Sequence, residues 1–449
     1  ERLTVIGRLA FGGLVSGRYG EKYIPPFESI SLPSTLKEIH EMAFLNARNL
    51  KTVTFASGTT LSDACDGKAF AIGKQAFYYC TSLTEIALPT SSEATYSIGD
   101  TAFAYTGLKE ISIPKAVGWL GSGVFNRSSD LAKVVFEAGA NPKCGTSLFA
   151  YTAVSGVTLP EGVEAISDYM FQGCVNLTSV TVPASVKSIG ISAFESCQAL
   201  AKVTFATYEK DGKSYSNLIS IDNYAFSKTG ITSFTFPTLE GTKTLDLGNS
   251  LFRSCMKLET VGLSESVAEI GTAFADCFSI RSFVVDENNE NFSSKPGSPI
   301  LYNATGTAYM YICGQLPAGE YVIPEGIVSI GDNVFKGQVG ITKVVIPRSM
   351  QTIGNYAFSG CTLLETVVFE HSTDKPSQLT QKDSYGTNMF RECTSLKDVT
   401  LPANMTAIPA NMFYGCKALE SIVIPYGVTS IGQDAFGYAG LKSVSIPAT

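Results

Sequence analysis

The chain has 449 residues, of which 45% are hydrophobic and 16% charged, and its net charge is −7. A single core of this size would be oversized, so the length predicts either several domains or a repeat array. Lys and Arg are scattered singly, which argues against a nucleic-acid partner. No apolar run approaches the roughly 18 residues that span a bilayer, so membrane contact is expected only through an anchor that this sequence does not contain.

One motif recurs along almost the whole chain. Residues 163–183, VEAISDYMFQGCVNLTSVTVP, and 428–447, VTSIGQDAFGYAGLKSVSIP, fit V-x-x-I-G-x-x-A-F-x-x-C-x-x-L-x-x-V-x-I-P. The anchoring phenylalanines are Phe11, Phe44, Phe77, Phe103, Phe125, Phe149, Phe171, Phe194, Phe226, Phe252, Phe274, Phe335, Phe358, Phe390, Phe413 and Phe436. This self-similarity predicts a repeat solenoid of about seventeen stacked coils.

The residue types predict the structure of each coil. The alternating L-x-x-V-x-I tail favours a short strand with one inward face, and the proline that often follows cannot continue a hydrogen-bond ladder. The glycine four residues before Phe predicts a corner with unusual backbone angles. The A-F-x-x-C segment has the spacing of one helical turn, with Phe and Cys inward. Equivalent strands of neighbouring coils are expected to pair in parallel.

The boundaries of the array follow from the same pattern in chain order. Residues 1–33 are expected to form an N-terminal cap and first coil with an insertion, and regular repeats follow at 34–285. Residues 286–324 are expected to hold a degenerate repeat with an inserted hairpin. Repeats resume at 325–449, so residues 1–449 are predicted to form a single solenoid.

The degenerate segment carries two local predictions. Its extra hairpin should turn near residues 304–306, Ala-Thr-Gly. The side chains of Asp286, Asn288 and Asn289 could hold calcium, but their spacing does not match an EF-hand loop. Turn formation by these short polar side chains is therefore the favoured interpretation.

The I-G-x-x-A-F-x-x-C-x-x-L-x-x-V-x-I-P unit resembles the BspA-like bacterial leucine-rich repeats of the treponemal class over nearly all of residues 1–449. The resemblance implies a right-handed leucine-rich-repeat superhelix, with short parallel β-strands on the concave face and short helical turns opposite. It also implies an extracellular or cell-surface protein associated with adhesion to matrix proteins or other cells. Because the repeats of that family are scaffold, the resemblance assigns no binding residue.

Most cysteines follow the repeat, which argues against chemistry. Eight of them, Cys80, Cys174, Cys197, Cys255, Cys277, Cys361, Cys393 and Cys416, lie three residues after an anchoring Phe. Thr, Ser or Ala takes that place in other coils, so buried reduced thiols that pack as small hydrophobic groups are expected. Disulfides between adjacent coils stay possible, and zinc is disfavoured because no CxxC pair occurs. Cys65, Cys144 and Cys313 lie outside the pattern and are the better candidates for reactivity.

Three insertions of roughly ten residues follow strands that end in Phe, at 56–68, 206–217 and 370–384. They form either a row of fingers that grips a partner or surface excursions without a function. The second insertion is predicted to be a hairpin with an Asp-Gly turn. Candidate partner-binding residues are Tyr208, Asp211 and Tyr215 of that hairpin, His371 and Tyr385 around the third insertion, and the outward strand residues Thr158, Thr181 and Thr204.

No catalytic arrangement stands out. The histidines are His40, expected at a partly exposed corner, and His371, and Trp119 is expected to pack rather than to form a binding platform. GxSxG, P-loop and HExxH motifs do not occur. No catalytic residue, cofactor or metal is therefore predicted.

The leading hypothesis is a non-enzymatic cell-surface or secreted protein that mediates adhesion by binding another macromolecule, foremost a protein, through its concave sheet and edge hairpins. The alternative is a structural spacer or surface-layer element that needs length rather than a ligand. A third hypothesis, a glycan-processing enzyme, requires a deep cleft with two facing carboxylates.

Overall fold

The structure is a computed structural model, and by its internal contacts the chain divides into two compact units. Unit 1 comprises Glu1–Leu258 and Glu269–Cys277, and unit 2 comprises Glu259–Ala268 and Phe278–Thr449. The residues that the structure describes are 3–13, 23–63, 70–90, 95–312, 314–370, 379 and 384–447. The following account concerns these residues.

Unit 1 is built from short strands, most of two to four residues. They are β1 (Val5–Ile6), β2 (Ser29–Leu32), β3 (Glu38–Ile39), β4 (Thr52–Phe55), β5 (Glu85–Ile86), β6 (Tyr96–Ile98), β7 (Glu110–Ile113), β8 (Val117–Leu120), β9 (Lys133–Phe136), β10 (Lys143–Cys144), β11 (Ala165–Ile166), β12 (Ser179–Val182), β13 (Ser188–Ile189), β14 (Lys202–Phe205), β15 (Tyr208–Lys210), β16 (Lys213–Tyr215), β17 (Ser220–Ile221), β18 (Ser233–Thr235) and β19 (Asp246–Leu247).

Unit 2 repeats the same design. Its strands are β20 (Thr260–Leu263), β21 (Ser282–Val285), β22 (Phe292–Ser294), β23 (Ile300–Asn303), β24 (Ala308–Ile312), β25 (Gly319–Val322), β26 (Ser329–Ile330), β27 (Ile341–Ile346), β28 (Thr352–Ile353), β29 (Thr366–Phe369), β30 (Asp398–Thr400), β31 (Ala407–Ile408), β32 (Ser421–Val423), β33 (Ser430–Ile431) and β34 (Ser443–Ser445).

Strands of successive coils pair in parallel and in register, as the repeat predicts. A short-strand ladder runs through β11, β13, β17 and β19. A long-strand ladder forms on another side of the coil, where β12 pairs with β14 over four residues. Antiparallel pairing in the described residues is confined to β15–β16 and to β22–β23–β24. The predicted parallel solenoid of about seventeen coils is confirmed.

The third side of each coil consists of turns, and the expected helical turns are not what the structure contains. Around Phe44, the residues Met42 (φ 59°) and Asn46 (φ 57°) are left-handed, which an α-helix does not allow. The Phe44 N–H donates to the carbonyl of Ala76 in the next coil at 2.7 Å. The intervening N–H groups donate three residues back within the coil. Hydrogen bonds between coils thus replace the bonds that would build a helix.

The anchoring phenylalanines form a continuous stack at the centre of each unit. In unit 1, neighbouring ring centroids from Phe11 to Phe274 are 4.8 to 5.8 Å apart. In unit 2, the stack from Phe335 to Phe436 has spacings of 4.6 to 5.7 Å. Because each ring inside a stack is covered by the rings of both neighbouring coils, stability depends on the interfaces between coils.

The glycine before Phe is required by close approach and not by backbone angle, which corrects the prediction. Gly73, Gly99 and Gly432 have no positive φ. A Cβ atom on Gly99 would instead lie 2.6 Å from the amide N of Lys74 in the preceding coil, and one on Gly432 would lie 2.4 Å from that of Ala410. Glycine at this corner therefore sets how closely two coils can stack.

The eight repeat cysteines are free and buried, which confirms the predicted thiols. The Cys197 thiol donates to the carbonyl O of Phe171 in the preceding coil, with Sγ 3.1 Å from the oxygen. Ser128 fills the same place, and its hydroxyl donates to the Phe103 carbonyl of the preceding coil at 2.9 Å. The hydroxyl of Thr152 instead donates to the Phe149 carbonyl of its own coil at 2.8 Å. Cys, Ser and Thr at this position therefore act as small buried hydrogen-bond donors, a role that the spacing of the repeat did not indicate.

Of the three cysteines outside the repeat pattern, the structure describes Cys144, and its thiol is not ionised at neutral pH. Cys144 is half-buried, and burial raises the pKa of its thiol to about 12. The thiol is therefore protonated at neutral pH and is a poor nucleophile. Cys65 and Cys313 lie outside the described residues.

The degenerate segment of unit 2 contains the predicted hairpin. Strands β23 and β24 pair antiparallel, and the Gly306 N–H donates to the Asn303 carbonyl at 2.9 Å across the turn. Tyr309 of β24 pairs in parallel with Ile330, and its ring lies 6.0 Å from that of Phe335. A tyrosine thus continues the core where the coil lacks its phenylalanine.

The side chains of the Asp/Asn cluster at 286–289 stabilise turns through hydrogen bonds, which agrees with the favoured interpretation from the sequence. The Asn289 side-chain amide donates to the carbonyls of Ser264 and Val267 at 2.8 and 3.0 Å. Its oxygen accepts the Phe292 N–H at 2.8 Å. Asp286 Oδ1 accepts a hydrogen bond from the Asn288 N–H at 2.9 Å. These hydrogen bonds tie the start of the insertion to the preceding coil.

Candidate binding surface on the long-strand face

The long-strand face is the outward surface of β7, β9, β12 and β14 together with residues 155–159 between them. Inward side chains such as Val134 and Val180 are buried, whereas outward ones are exposed. Residues 155–159, which take the place of a long strand in the coil between β9 and β12, form no regular strand. They pair with their neighbours only through the bridges Lys133↔Gly156 and Thr158↔Thr181. The ladder is therefore interrupted in one coil.

Gly156 accounts for the interruption. It occupies an outward position where other coils carry a side chain, and no atom lies within 4 Å of where its Cβ atom would be. Glycine in a strand weakens pairing and leaves the surface open. Its φ is not positive, so backbone strain does not explain the residue.

A depression of about 480 Å³ opens over this glycine. Its lining residues come from three successive coils: Lys133, Val134, Val135, Phe136, Gly156, Val157, Thr158, Ser179 and Thr181. Val135 is 41% exposed, and Phe136 and Val157 are half-buried. Hydroxyl groups of Thr158, Ser179 and Thr181 add polar contacts. An apolar patch with a few polar groups is typical of a binding site.

The electrostatics of the depression are simple. Lys133 is the one titratable side chain in its lining, and its ammonium group lies 3.1 Å from Glu110 Oε2. Both side chains are about two-thirds exposed, so this pair contributes little to stability. No second acid or base faces Lys133 across the lining, so these residues do not form an acid–base pair.

The predicted threonines lie together on this face. Thr158 and Thr181 line the depression, and the Thr181 hydroxyl is 3.0 Å from that of Thr204 in the next coil. Thr204 belongs to β14, from whose end the 206–217 insertion leaves.

That insertion is the predicted hairpin. Its Asp211 (φ 51°) and Gly212 (φ 76°) form the two-residue turn, and Tyr208 pairs with Tyr215 across β15 and β16. The Tyr208 hydroxyl donates to Glu240 Oε2 at 3.0 Å. Glu240 also pairs with Lys210, and these two partners hold the pKa of its carboxyl below the ordinary value. The hairpin is thereby fixed to the following coil.

Other predicted site residues are not brought to this surface. Tyr385 is only 5% exposed and donates its hydroxyl to the Leu379 carbonyl at 3.0 Å, so its prediction as a partner-binding residue is wrong. His371 lies outside the described residues. Trp119, expected to pack, is 39% exposed on β8. His40 is at a partly exposed corner, with Nε2 3.0 Å from Glu38 Oε2.

The predicted row of fingers is described only in part. Of the insertion at 56–68, residues 56–63 are described, and Leu61 is buried while Asp63 accepts the Ser97 N–H at 2.8 Å. Most of 370–384 lies outside the described residues. The row of fingers therefore stays a prediction, whereas the 206–217 hairpin is present.

Gly156 and the depression above it were missed from the sequence. The available signal was a glycine at an outward strand position of one coil, because glycine inside a strand often marks a bulge or an open surface. The repeat register already places Thr158 and Thr181 in neighbouring coils, but it gives no indication of the depression that these residues form with Val135.

Stacked coils with parallel ladders, a phenylalanine core and an open strand face define a solenoid repeat protein. Residues 22–70, 65–177, 165–296 and 328–449 match the sequence profile of the BspA type leucine-rich repeat region, in six copies. The chain therefore belongs to the BspA-type leucine-rich repeat family.

Several solved structures of bacterial leucine-rich repeat proteins are similar to this chain. A leucine-rich cell-surface protein of Faecalibacterium prausnitzii is 23% identical, with 80% of each chain covered and a TM-score of 0.43. A leucine-rich repeat protein of Eubacterium ventriosum is 23% identical over 66% of this chain and 85% of its own, with a TM-score of 0.47. One from Bacteroides ovatus is 22% identical over 99% and 91%, with a TM-score of 0.45.

No curated protein matches the chain. Across the described residues, no helix has the length and apolar character needed to cross a membrane.

Proposed function

We propose that this chain is a non-enzymatic, cell-surface or secreted bacterial protein that binds another protein in adhesion. The binding surface is the long-strand face around Gly156, with the 206–217 hairpin at its side. The observation that carries the proposal is the depression where one coil leaves its outward strand position empty.

The shape and chemistry of the depression suit a polypeptide side chain. Val135, Phe136 and Val157 supply apolar contact, and the hydroxyls of Thr158 and Thr181 supply hydrogen bonds. An apolar centre with polar groups around it is the usual anatomy of a protein interface. The volume of about 480 Å³ is within the range of ligand pockets.

The fixed hairpin supports the same proposal. Tyrosine contributes much to protein interfaces because it combines a large apolar area with a hydroxyl group. Tyr208 and Tyr215 are half-buried on a hairpin that Glu240 holds in place, so little conformational entropy is lost when a partner binds. The single lysine of the depression, already paired with a carboxylate, favours binding over catalysis.

The cell-surface or secreted location rests on the family to which the chain belongs. Adhesion is the role that the BspA-like resemblance implies for such proteins. Neither assignment depends on the depression, so the experiment below tests binding itself.

The test is binding of the purified chain to an array of fibronectin, laminin, collagen and fibrinogen, measured by biolayer interferometry. Gly156→Val should weaken saturable binding at least tenfold, because the new side chain fills the depression while its Cβ meets no atom within 4 Å. The matched control is Thr54→Val, at an outward position of β4 in an uninterrupted part of the ladder.

Loss of binding in Gly156→Val but not in Thr54→Val would support the depression as the site. Replacing residues 206–217 by a short turn measures the contribution of the hairpin separately. Equal binding by Gly156→Val and wild type would refute the site, and no saturable binding to any array protein would favour the structural-spacer alternative.

A further inference from the structure

A second surface of unit 1 carries a stripe of tyrosine and arginine side chains. The tyrosine–arginine stripe consists of Arg48, Tyr79, Tyr105, Arg127 and Tyr151, one from each of five successive coils. The last four lie two residues after the anchoring Phe, and Arg48 lies four residues after Phe44. Tyr79 and Tyr105 stack with centroids 4.5 Å apart and 13° between the rings. Arg48 Cζ lies 5.5 Å from the Tyr79 centroid, and Arg127 Cζ lies 4.5 Å from that of Tyr151. These side chains belong to the turn side of the coil.

The backbone of the stripe is strained. Tyr79, Tyr105, Arg127 and Tyr151 have φ of 62°, 58°, 59° and 59°, a left-handed conformation that bulky residues rarely adopt. Glycine, which adopts it without steric cost, fills the same place in later coils, as at Gly173. Other coils have the same left-handed angle at this position with small or flexible residues, as at Ser196, Lys228 and Ser254. The angle therefore belongs to the repeat, and what distinguishes these four successive coils is that the residue there is large and planar.

The two guanidinium groups are not neutralised. Within the described part of the chain, no carboxylate lies within 4.0 Å of Arg48 or Arg127, although several lysines elsewhere are paired. Arg48 Nε donates to Asn46 Oδ1 at 2.6 Å, which leaves its terminal N–H groups for a ligand. Arg127 is exposed. In a chain of net charge −7, this local positive charge favours an anionic partner.

The arrangement disfavours sugars and nucleic-acid bases, which stack on open aromatic faces. The facing sides of Tyr79 and Tyr105 cover each other, and Arg48 covers part of the outer face of Tyr79. The Tyr78 ring packs against Tyr105 in T-shaped geometry, and Arg127 covers part of Tyr151. The stripe therefore presents ring edges and hydroxyl groups. These groups suit the backbone and carboxylates of a peptide.

The spacing defines the ligand further. Arg48 and Arg127 are separated by three coil steps, whose phenylalanine spacings are 4.8, 5.1 and 5.8 Å and together span about 16 Å. An extended chain advances about 3.3 Å per residue and its alternate side chains share one face. Two carboxylates four residues apart therefore lie about 13 Å apart on the same face, and the length of the arginine and glutamate side chains covers the remaining distance to both guanidiniums. We propose that the tyrosine–arginine stripe binds an acidic, extended polypeptide segment, with Arg48 and Arg127 each engaging one carboxylate and the tyrosine hydroxyls contacting the intervening backbone.

The test uses a fluorescein-labelled decaglutamate peptide and the full chain in fluorescence anisotropy at low salt. The double variant Arg48→Gln with Arg127→Gln should weaken binding at least tenfold, because two charge-assisted hydrogen-bonded contacts are lost. The matched control is Lys228→Gln, which removes a cation outside the stripe. Lys228 lies two residues after its anchoring Phe, as Arg127 does, and its backbone is also left-handed. Lys228→Gln should leave binding within twofold.

A second double variant, Tyr79→Gly with Tyr105→Gly, separates binding from folding. Glycine relieves the left-handed strain, so a fall in peptide affinity with an undiminished urea midpoint would support the proposal. Equal effects of the arginine pair and Lys228→Gln would overturn it. It would also be overturned if the wild type bound dextran sulfate but not decaglutamate. Gly156→Val should leave peptide binding unchanged, because this inference does not depend on the long-strand face.

Discussion

Replacing Gly99 by alanine should force two neighbouring coils of unit 1 apart. The new Cβ atom would lie 2.6 Å from the amide N of Lys74 and 2.9 Å from the carbonyl C of Gly73. Ordinary contact begins at 3.4 Å, so the coils would have to separate by about 0.8 Å. Both contact atoms belong to the backbone, so no side-chain rotation can relieve the clash.

The cost follows from what joins these coils. The Gly99 N–H donates to the Ile72 carbonyl at 2.8 Å, and the Phe77 N–H donates to that of Ala102 at 2.8 Å. Overpacking costs about 1–3 kcal/mol, and a weakened buried hydrogen bond costs about 1 kcal/mol. We expect Gly99→Ala to lower the free energy of unfolding by about 3 kcal/mol.

Urea unfolding followed by circular dichroism measures the loss, and amide exchange shows whether it begins in the coils of Phe77 and Phe103. Gly156→Ala is the control, because its Cβ would meet no atom within 4 Å. It should be neutral or stabilising by up to about 1 kcal/mol. If both variants had the same urea midpoint, the close-approach explanation for the corner glycine would be refuted.

Three further predictions concern the buried donors and the hairpin. Cys197→Ser should leave the urea midpoint nearly unchanged, because Ser128 makes the equivalent bond to the preceding coil, whereas Cys197→Val should cost about 1 kcal/mol more, because valine cannot donate to the Phe171 carbonyl; equal midpoints would contradict this role. Burial raises the pKa of the Cys80 thiol from the ordinary 9.0 to about 12. As the pH rises, the thiol of the unfolded chain therefore ionises before that of the folded chain, and the free energy of unfolding should fall between pH 9 and pH 12. Urea midpoints that stay constant over that range would contradict this prediction. Glu240→Gln should raise amide exchange in residues 208–215 about threefold, because the charged partner of the hairpin is lost, and unchanged exchange would show that the strands alone hold the hairpin.

The repeat pattern was sufficient to predict the stacked coils, because each coil places the same inward residues in the same environment. The phenylalanine stack, the parallel ladders and the buried thiols all follow from side chains that recur with the period of the coil. The hairpin at Asp211-Gly212 could be predicted because its turn is encoded by two adjacent residues.

Predictions from short sequence patterns were wrong where hydrogen bonds between coils determine the backbone conformation. The A-F-x-x-C spacing places two side chains on one side in a helix and in a series of turns alike. Hydrogen bonds such as Phe44 N–H to Ala76 O select the turns. Tyr385 is a different case, because its hydroxyl donates to the Leu379 carbonyl only six residues earlier and its ring is buried. Polar neighbours in the sequence did not indicate this burial.

The sequence by itself determined the solenoid, its number of coils and its core, because inward positions repeat and can be recognised one coil at a time. Only the tertiary structure decided the two candidate binding surfaces. The depression at Gly156 and the stripe from Arg48 to Tyr151 each join side chains more than twenty residues apart. Outward residues differ from coil to coil, so their grouping depends on the stacking of successive coils and not on any motif within one.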